Sequence, residues 1–229
     1  MEFFSDINLP IGLHLSFYNK SQKIFWSEGL EQLEQIYKNI CSTWHQSKQD
    51  EFLMGRHLVH SSFRNNNLEW EKPVLMGEKR EPLFPYGISA SLSHNQEFIV
   101  FAFQKGNSLV GIDVESRGRV KVKLEGEILR NEDTFLFDQF DGELSKSDYI
   151  TLVFSAKESC YKALFPFYKE YFGFKDAYLK EIDSDEGTFK IVVTKKFQSS
   201  KSHRMGPLIL DGGFKVGSSF IFTYISSNL

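Results

Sequence analysis

Residues 146–165 place Tyr149, Leu152, Val153, Ala156, Cys160, Ala163 and Leu164 at intervals of three and four, the repeat of one helix face. A helix carrying so much apolar surface is not stable alone and needs a sheet or other helices to cover it. The flanking segments supply strands. Residues 88–103 read as two strands with a turn at Asn95-Gln96, and residues 108–115 as a third. Residues 177–182, 188–193, 207–210 and 214–224 read as four more, with turns at Glu186-Gly187 and Gly212-Gly213. Earlier in the chain, residues 7–17 read as a strand with residues 23–26 as its partner. Ser27 then reads as the N-cap of a helix bearing Leu30, Leu33, Ile36, Tyr37 and Ile40. A second helix over residues 49–64 has Phe52, Leu53, Leu58 and Val59 on its apolar side and stops at Asn65-Asn66-Asn67. Residues 73–87, with three prolines and two glycines, read as an irregular loop, and residues 116–141 as helix or loop.

At 229 residues the chain has room for one large domain or two small ones, and 41% hydrophobic residues with 16 glycines is a globular composition. The 23 phenylalanines predict a Phe-rich core. A net charge of −3 argues against a general nucleic-acid binder. Cys41 and Cys160 are too few for a disulfide scaffold or a cysteine-built metal site. Residues 1–13 carry acids and no basic run, unlike a signal peptide. The longest apolar run, residues 98–103, falls far short of the ~20 residues of a membrane span. A soluble, cytoplasmic protein of mixed helix and sheet is expected.

Three places have the residue types for chemistry. In residues 111–115 the two-residue repeat of a strand puts Asp113 and Glu115 on one face and Ile112 and Val114 on the other. Paired carboxylates repel unless a cation sits between them, and Mg²⁺ is the hard cation that takes oxygen ligands; a solvated strand face is the plainer reading. On the helix, Glu158 and Lys162 are four apart, in the order that favours an ion pair, with Phe154, Tyr161 and Phe165 around them. Such pairs are usually surface features, but aromatic flanks suggest a partly covered face. Ser93-His94 ends a strand and offers a hydroxyl and an imidazole to phosphate oxygens, although a lone histidine is more often structural. The P-loop, the nucleophile elbow of α/β-hydrolases and the zinc-protease helix motif are absent from the sequence.

In this order and spacing the three places resemble the signatures of 4′-phosphopantetheinyl transferases: Ser93-His94, then residues 111–115, then Phe154-Ser155-Ala156-Lys157-Glu158 with Lys162. Residues 51–56 (Glu-Phe-Leu-Met-Gly-Arg) and 77–85 (Gly-Glu-Lys-Arg-Glu-Pro-Leu-Phe-Pro) resemble the enterobactin-synthetase-component branch of the monomeric, surfactin-type class. Phe84 stands where a Trp is common, and Ser89-Ala90-Ser91 departs mildly from the usual small-residue strand. The resemblance spans residues 51–166 and leaves both ends without a signature.

The resemblance implies an α+β fold of two similar α/β halves with the active site in the cleft between them, here residues 1–108 and 109–229 with a soft boundary. It implies transfer of the phosphopantetheine arm of coenzyme A, as substrate, to a serine of an apo acyl or peptidyl carrier protein. Mg²⁺, or Mn²⁺ in its place, would be held by Asp113, Glu115 and Glu158. Lys157 and Lys162 would take phosphate oxygens, Ser93 and His94 the coenzyme A phosphates, and Arg56 and Arg80, with Lys79, the 3′-phosphate. Glu158 would be the base, directly or through a metal-bound water. A monomer is implied.

Arg117, Arg119, Lys121 and Lys123 alternate with Gly118, Val120, Val122 and Leu124, which as an extended segment gives a basic edge and an apolar edge. This strip is expected to dock the carrier; an edge strand guarded by its lysines is the competing reading. Two other functions fit parts of the pattern. One is a non-catalytic module binding coenzyme A or a carrier, against which the three acids argue. The other is a different Mg²⁺-dependent nucleotide phosphotransferase, against which the missing Gly-rich loop argues.

Overall fold

The computed structural model describes residue 4 and residues 7–24, 26, 29–140, 142–198 and 207–228. Its strands are β1 (His14–Asn19), β2 (Ile88–His94), β3 (Phe98–Lys105), β4 (Ser108–Ser116), β5 (Ala177–Asp183), β6 (Thr188–Val193), β7 (Leu208–Val216) and β8 (Phe220–Asn228). Its helices are α1 (Glu31–Cys41), α2 (Gln46–Asn65), α3 (Glu125–Ile128), α4 (Asn131–Thr134) and α5 (Lys146–Tyr168), with 3₁₀ turns at Val122–Leu124, Phe137–Phe140 and Phe174–Asp176. The fold is α+β. A three-stranded sheet has the order β1-β3-β2 and a five-stranded sheet the order β4-β8-β7-β6-β5.

The apolar stripe of residues 146–165 is the core of the second sheet's layer. Each of its seven members is fully buried on α5, against Leu179, Ile191, Ile221 and Ile225 of the sheet. Ser145 caps the helix by accepting from the Asp148 N–H at 3.1 Å, and Lys169 ends it in the left-handed conformation. The first sheet is covered by α2 through Leu58, Val59, Phe63, Phe101 and Phe103. Rings of Phe63 and Phe103 meet edge-on at 5.2 Å, so the phenylalanines do build this core. Val100 and Ala102 of β3 pack against Val110, Ile112 and Val114 of β4 and Phe222 of β8, joining the two sheets.

Four expectations are corrected. Residues 7–13 are irregular, and β1 pairs with β3 rather than with residues 23–26; residues 23, 24 and 26 form no strand, and Phe25 lies outside the described residues. Helix α1 starts at Glu31 with Leu30 at its N-cap position, and Ser27 lies outside the described residues. Gly212 and Gly213 are not a turn but the middle of β7. A Cβ there would fall 2.3 Å from the Phe189 ring and 2.4 Å from the Tyr224 ring, so the glycines leave room for aromatic neighbours; the chain turns at residues 217–219 instead. The basic segment is not extended. After β4 it turns through Gly118 (φ +63°) into the 3₁₀ turn Val122–Leu124, which buries Val120 and leaves Arg119, Lys121, Val122 and Lys123 exposed.

Candidate active site

Strand β4 is an edge strand, paired only with β8, and its other edge must be satisfied from elsewhere. The serines of β2 do this. Ser91 Oγ accepts from the Ile112 N–H at 3.0 Å and Ser93 Oγ from the Val114 N–H at 3.3 Å. The two-residue repeat of the serines matches that of the edge N–H groups, so β2 seals β4 and brings Ser93 to Asp113.

Gly111, Asp113 and Glu115 share the face of β4 that α5 covers. A Cβ on Gly111 would lie 1.9 Å from the Ser159 carbonyl oxygen and 2.6 Å from the Ala163 nitrogen. The helix backbone therefore rests directly on the strand, and this contact sets Glu158 and Lys162 beside the acids. Lys162 does not pair with Glu158. Its Nζ donates to Asp113 Oδ1 at 2.7 Å and to Ser93 Oγ at 3.0 Å, while the Ser93 hydroxyl donates to the same Asp113 oxygen at 2.8 Å. Asp113 Oδ2 is buried with no hydrogen-bond partner. Glu115 has Arg119 Nε at 3.4 Å; burial, then Asp113, push its pKa up to about 7. Burial also raises Glu158, with Asp113 adding to it against Lys162. Glu158 has no hydrogen-bond or ion-pair partner among the described residues and lines a cavity of about 440 Å³.

That cavity draws on both sheets. Lys79, Arg80, Glu81 and Phe84 line it from the loop before β2, Ser89 and Ser91 from β2, and Tyr161, Lys162 and Phe165 from α5. Arg80, with φ +67°, has its guanidinium 5.9 Å from the Trp44 ring centroid. The volume is within the usual range for small-molecule sites.

Several expected site residues stand elsewhere. Lys157, expected on phosphate oxygens, is 1% exposed. Its Nζ donates to Asp133 Oδ2 at 2.7 Å, the Ile128 carbonyl at 2.8 Å and the Phe174 carbonyl at 3.0 Å. An ammonium has three donors, and all three are used inside the fold. Arg56, expected at the 3′-phosphate, is 4% exposed within α2, stacked 4.7 Å from the Phe52 ring, and does not line the cavity; burial draws its pKa down to about 10. Ser93, expected on coenzyme A phosphates, is buried and occupied by Asp113 and Lys162. His94 also lies off the cavity lining; its Nε2 meets Glu51 Oε1 at 3.0 Å, and Glu51 Oε2 meets Lys20 at 2.5 Å. Arg117 is tied to Asp148 at 2.7 Å. Of the expected residues, Lys79, Arg80, Glu158 and Lys162 line the cavity, while Asp113 and Glu115 do not line it. Ser91, Trp44, Glu81 and Lys169 were not expected; only the alternation of Ser89, Ser91 and Ser93 is a signal that finds one of them.

Two models of one superfamily match this chain in tandem. The N-terminal domain model of 4′-phosphopantetheinyl transferases matches residues 38–103, and the 4′-phosphopantetheinyl transferase superfamily model matches residues 109–215. The chain belongs to the 4′-phosphopantetheinyl transferase superfamily. The second match holds the Gly111 contact, both acids of β4, Glu158 and Lys162; the first holds the β2 serines and the loop of Lys79 and Arg80. Among similar proteins, the 4′-phosphopantetheinyl transferase PptT of Mycobacterium tuberculosis (strain ATCC 25618 / H37Rv) is 28% identical over 158 residues, covering 63% of this chain and 64% of that protein. The 4′-phosphopantetheinyl transferase Npt of Nocardia iowensis is 26% identical over 200 residues, covering 79% of this chain and 83% of that protein. The alignment thus spans somewhat less than two thirds of the first relative's length. Among the described residues no helix is long and apolar enough to cross a membrane.

Proposed function

We propose that this protein moves the 4′-phosphopantetheine arm of coenzyme A onto a serine of an apo acyl or peptidyl carrier protein, with Mg²⁺, releasing adenosine 3′,5′-bisphosphate. The observation that carries this reading is Glu158, unpartnered and facing a cavity that also presents Lys162, Lys79 and Arg80. A basic lining suits a diphosphate, and a carboxylate held above its usual range by burial suits proton acceptance.

The acids also fit a divalent cation. Asp113 Oδ2 is an orphaned buried oxygen, and burial, then the neighbouring Asp113, hold the Glu115 carboxyl above its usual range. Among the described residues no three acid, histidine or cysteine side chains stand together as a metal site, so the expected trio of Asp113, Glu115 and Glu158 is not gathered around one point. Mg²⁺ takes one or two carboxylates and completes its shell with water and substrate phosphates, so a cation here would rest on fewer protein ligands than three. Asp113 and Glu115 would hold it; when bound, it would supply charge to the diphosphate as the bond to the leaving phosphate breaks. The rest falls to the chain. Lys162, anchored by Asp113 and Ser93, neutralises phosphate oxygens. Glu158 takes the proton of the carrier serine as its oxygen attacks the phosphorus attached to pantetheine. Tyr161, Phe165 and Phe84 wall the site on its apolar side.

The branch resemblance enters the same reading, because residues 77–85 bring Lys79 and Arg80 to the cavity and residues 51–56 supply Glu51 to His94. Arg119, Lys121 and Lys123, with exposed Val122 between them, are proposed as the surface that meets the acidic helix of the carrier. Arg119 reaches Glu115, so this surface adjoins the acids. The test of the function is direct. Incubated with coenzyme A and Mg²⁺, the protein adds the arm's mass to an apo carrier, and a metal chelator stops the addition; no mass change with either acyl or peptidyl carriers would reject the reading.

A further inference from the structure

One connection across the cavity has no part in that chemistry. Residues 77–81 form a tight turn, with the Gly77 N–H on the Glu81 carbonyl at 2.8 Å and the Arg80 N–H on the Gly77 carbonyl at 3.0 Å. The Glu81 side chain folds back over the turn, and Oε2 accepts from the Lys79 N–H at 3.0 Å. A Cβ on Gly77 would lie 2.4 Å from the Glu81 carboxyl carbon, so the fold-back needs glycine there. The other oxygen, Oε1, accepts from Lys169 Nζ at 2.9 Å. Lys169 is the residue that ends α5, 88 positions along the chain. Glu81 and Lys169 both line the cavity.

The loop that carries Lys79 and Arg80 is thereby strapped to the helix that carries Glu158 and Lys162. Backbone conformation points the same way. Three non-glycine residues among those described have positive φ, and two of them are Arg80 (+67°) and Lys169 (+54°), one on each side of the strap. Such conformations cost energy and persist where the surroundings hold them. We infer that Glu81 and Lys169 are positioning residues, a clasp across the cavity rim that holds Lys79 and Arg80 in place for the anionic part of the substrate. This deepens the reading of the cavity as the coenzyme A site and rests on it. Lys169 is half-exposed, and exposed ion pairs add little to stability. The effect of the clasp is therefore on binding geometry and not on folding.

Simple charge counting predicts the opposite of the clasp. Removing the Glu81 charge from the edge of a polyanion site should tighten binding; removing a clasp should weaken it. Glu81→Gln keeps an acceptor for the Lys79 N–H and loses the ion pair. Glu81→Gln and Lys169→Met are each expected to raise the coenzyme A KM about three- to tenfold, with kcat within about twofold. The double variant should match the singles, because both remove one interaction, and Lys169→Arg should behave as the unaltered protein. Melting temperatures should stay within about 2 °C. A KM that falls or stays fixed in Glu81→Gln overturns the clasp, as does an additive double variant. If the unaltered protein neither bound coenzyme A nor transferred its arm, the functional reading itself would fall instead.

Discussion

Lys157 and Glu158 are neighbours on α5 and end in opposite surroundings, because one step along a helix turns the side chain by about 100°. Lys157 faces inward to Asp133, whose Oδ1 also accepts from the Leu179 N–H at 2.7 Å and whose Oδ2 accepts from the Arg130 N–H at 2.8 Å. The pair knits α4, α5 and β5 together, with both side chains almost completely buried. Removing one member of a buried pair strands the other charge and costs about 3–5 kcal/mol. Lys157→Met should therefore melt well below the unaltered protein, while the fraction still folded in the cold binds coenzyme A with ordinary affinity. A stable variant with lost affinity would return Lys157 to the phosphate role. In the sequence, Lys157 and Lys162 are two cations on one motif. What separates them is Asp133, 24 positions upstream in a stretch with no periodic pattern, and the motif holds no trace of that partner. The motif likewise reads Lys162 as the partner of Glu158 at helical spacing, whereas its Nζ goes to Asp113 and Ser93, 49 and 69 positions away, and Glu158 is left facing the cavity without it.

At the level of elements, Gly111 decides where α5 lies. The strand could be read from its alternation, and the helix from its stripe, but the absence of a side chain at Gly111 looks like any other glycine until the helix backbone is seen against it. Gly111→Ala must push the Ser159 carbonyl away or distort β4, and overpacking of this kind costs about 1–3 kcal/mol or more. A drop in melting temperature of roughly 5 °C is expected, together with slower transfer, since Glu158 and Lys162 move with the helix. An alanine variant that melts and turns over normally would show that the close approach is not needed. Gly212 and Gly213 illustrate the reverse case. A Gly-Gly pair between apolar runs is a good turn signal, but here the rings of Phe189 and Tyr224 lie across those positions and the pair stays inside β7.

For the whole molecule, the number and kind of most elements were readable because periodicity is local, whereas pairing was not. β1 joins β3 across some 80 residues and β4 joins β8 across more than 100, and register at that range is set by packing. The cavity follows from this pairing, since it takes one wall from the loop before β2 and another from α5. The proposed carrier surface is also a property of the whole. With the basic segment folded into a turn, only Arg119, Lys121 and Lys123 remain outward beside the acids. Reversing two of them, Arg119→Glu with Lys121→Glu, should raise the carrier KM about tenfold or more at low salt and leave coenzyme A affinity unchanged. Unaltered carrier kinetics would assign docking to another face.

The most direct measurement is the rate at which Glu158→Ala adds the phosphopantetheine mass to an apo carrier, set beside the unaltered protein at equal folded concentration. A group that accepts the serine proton at the cavity wall is worth about 10²–10⁴ in rate. A loss of that size, with circular dichroism and melting temperature preserved, is the predicted result. Transfer within a few-fold of the unaltered rate would contradict the site described here.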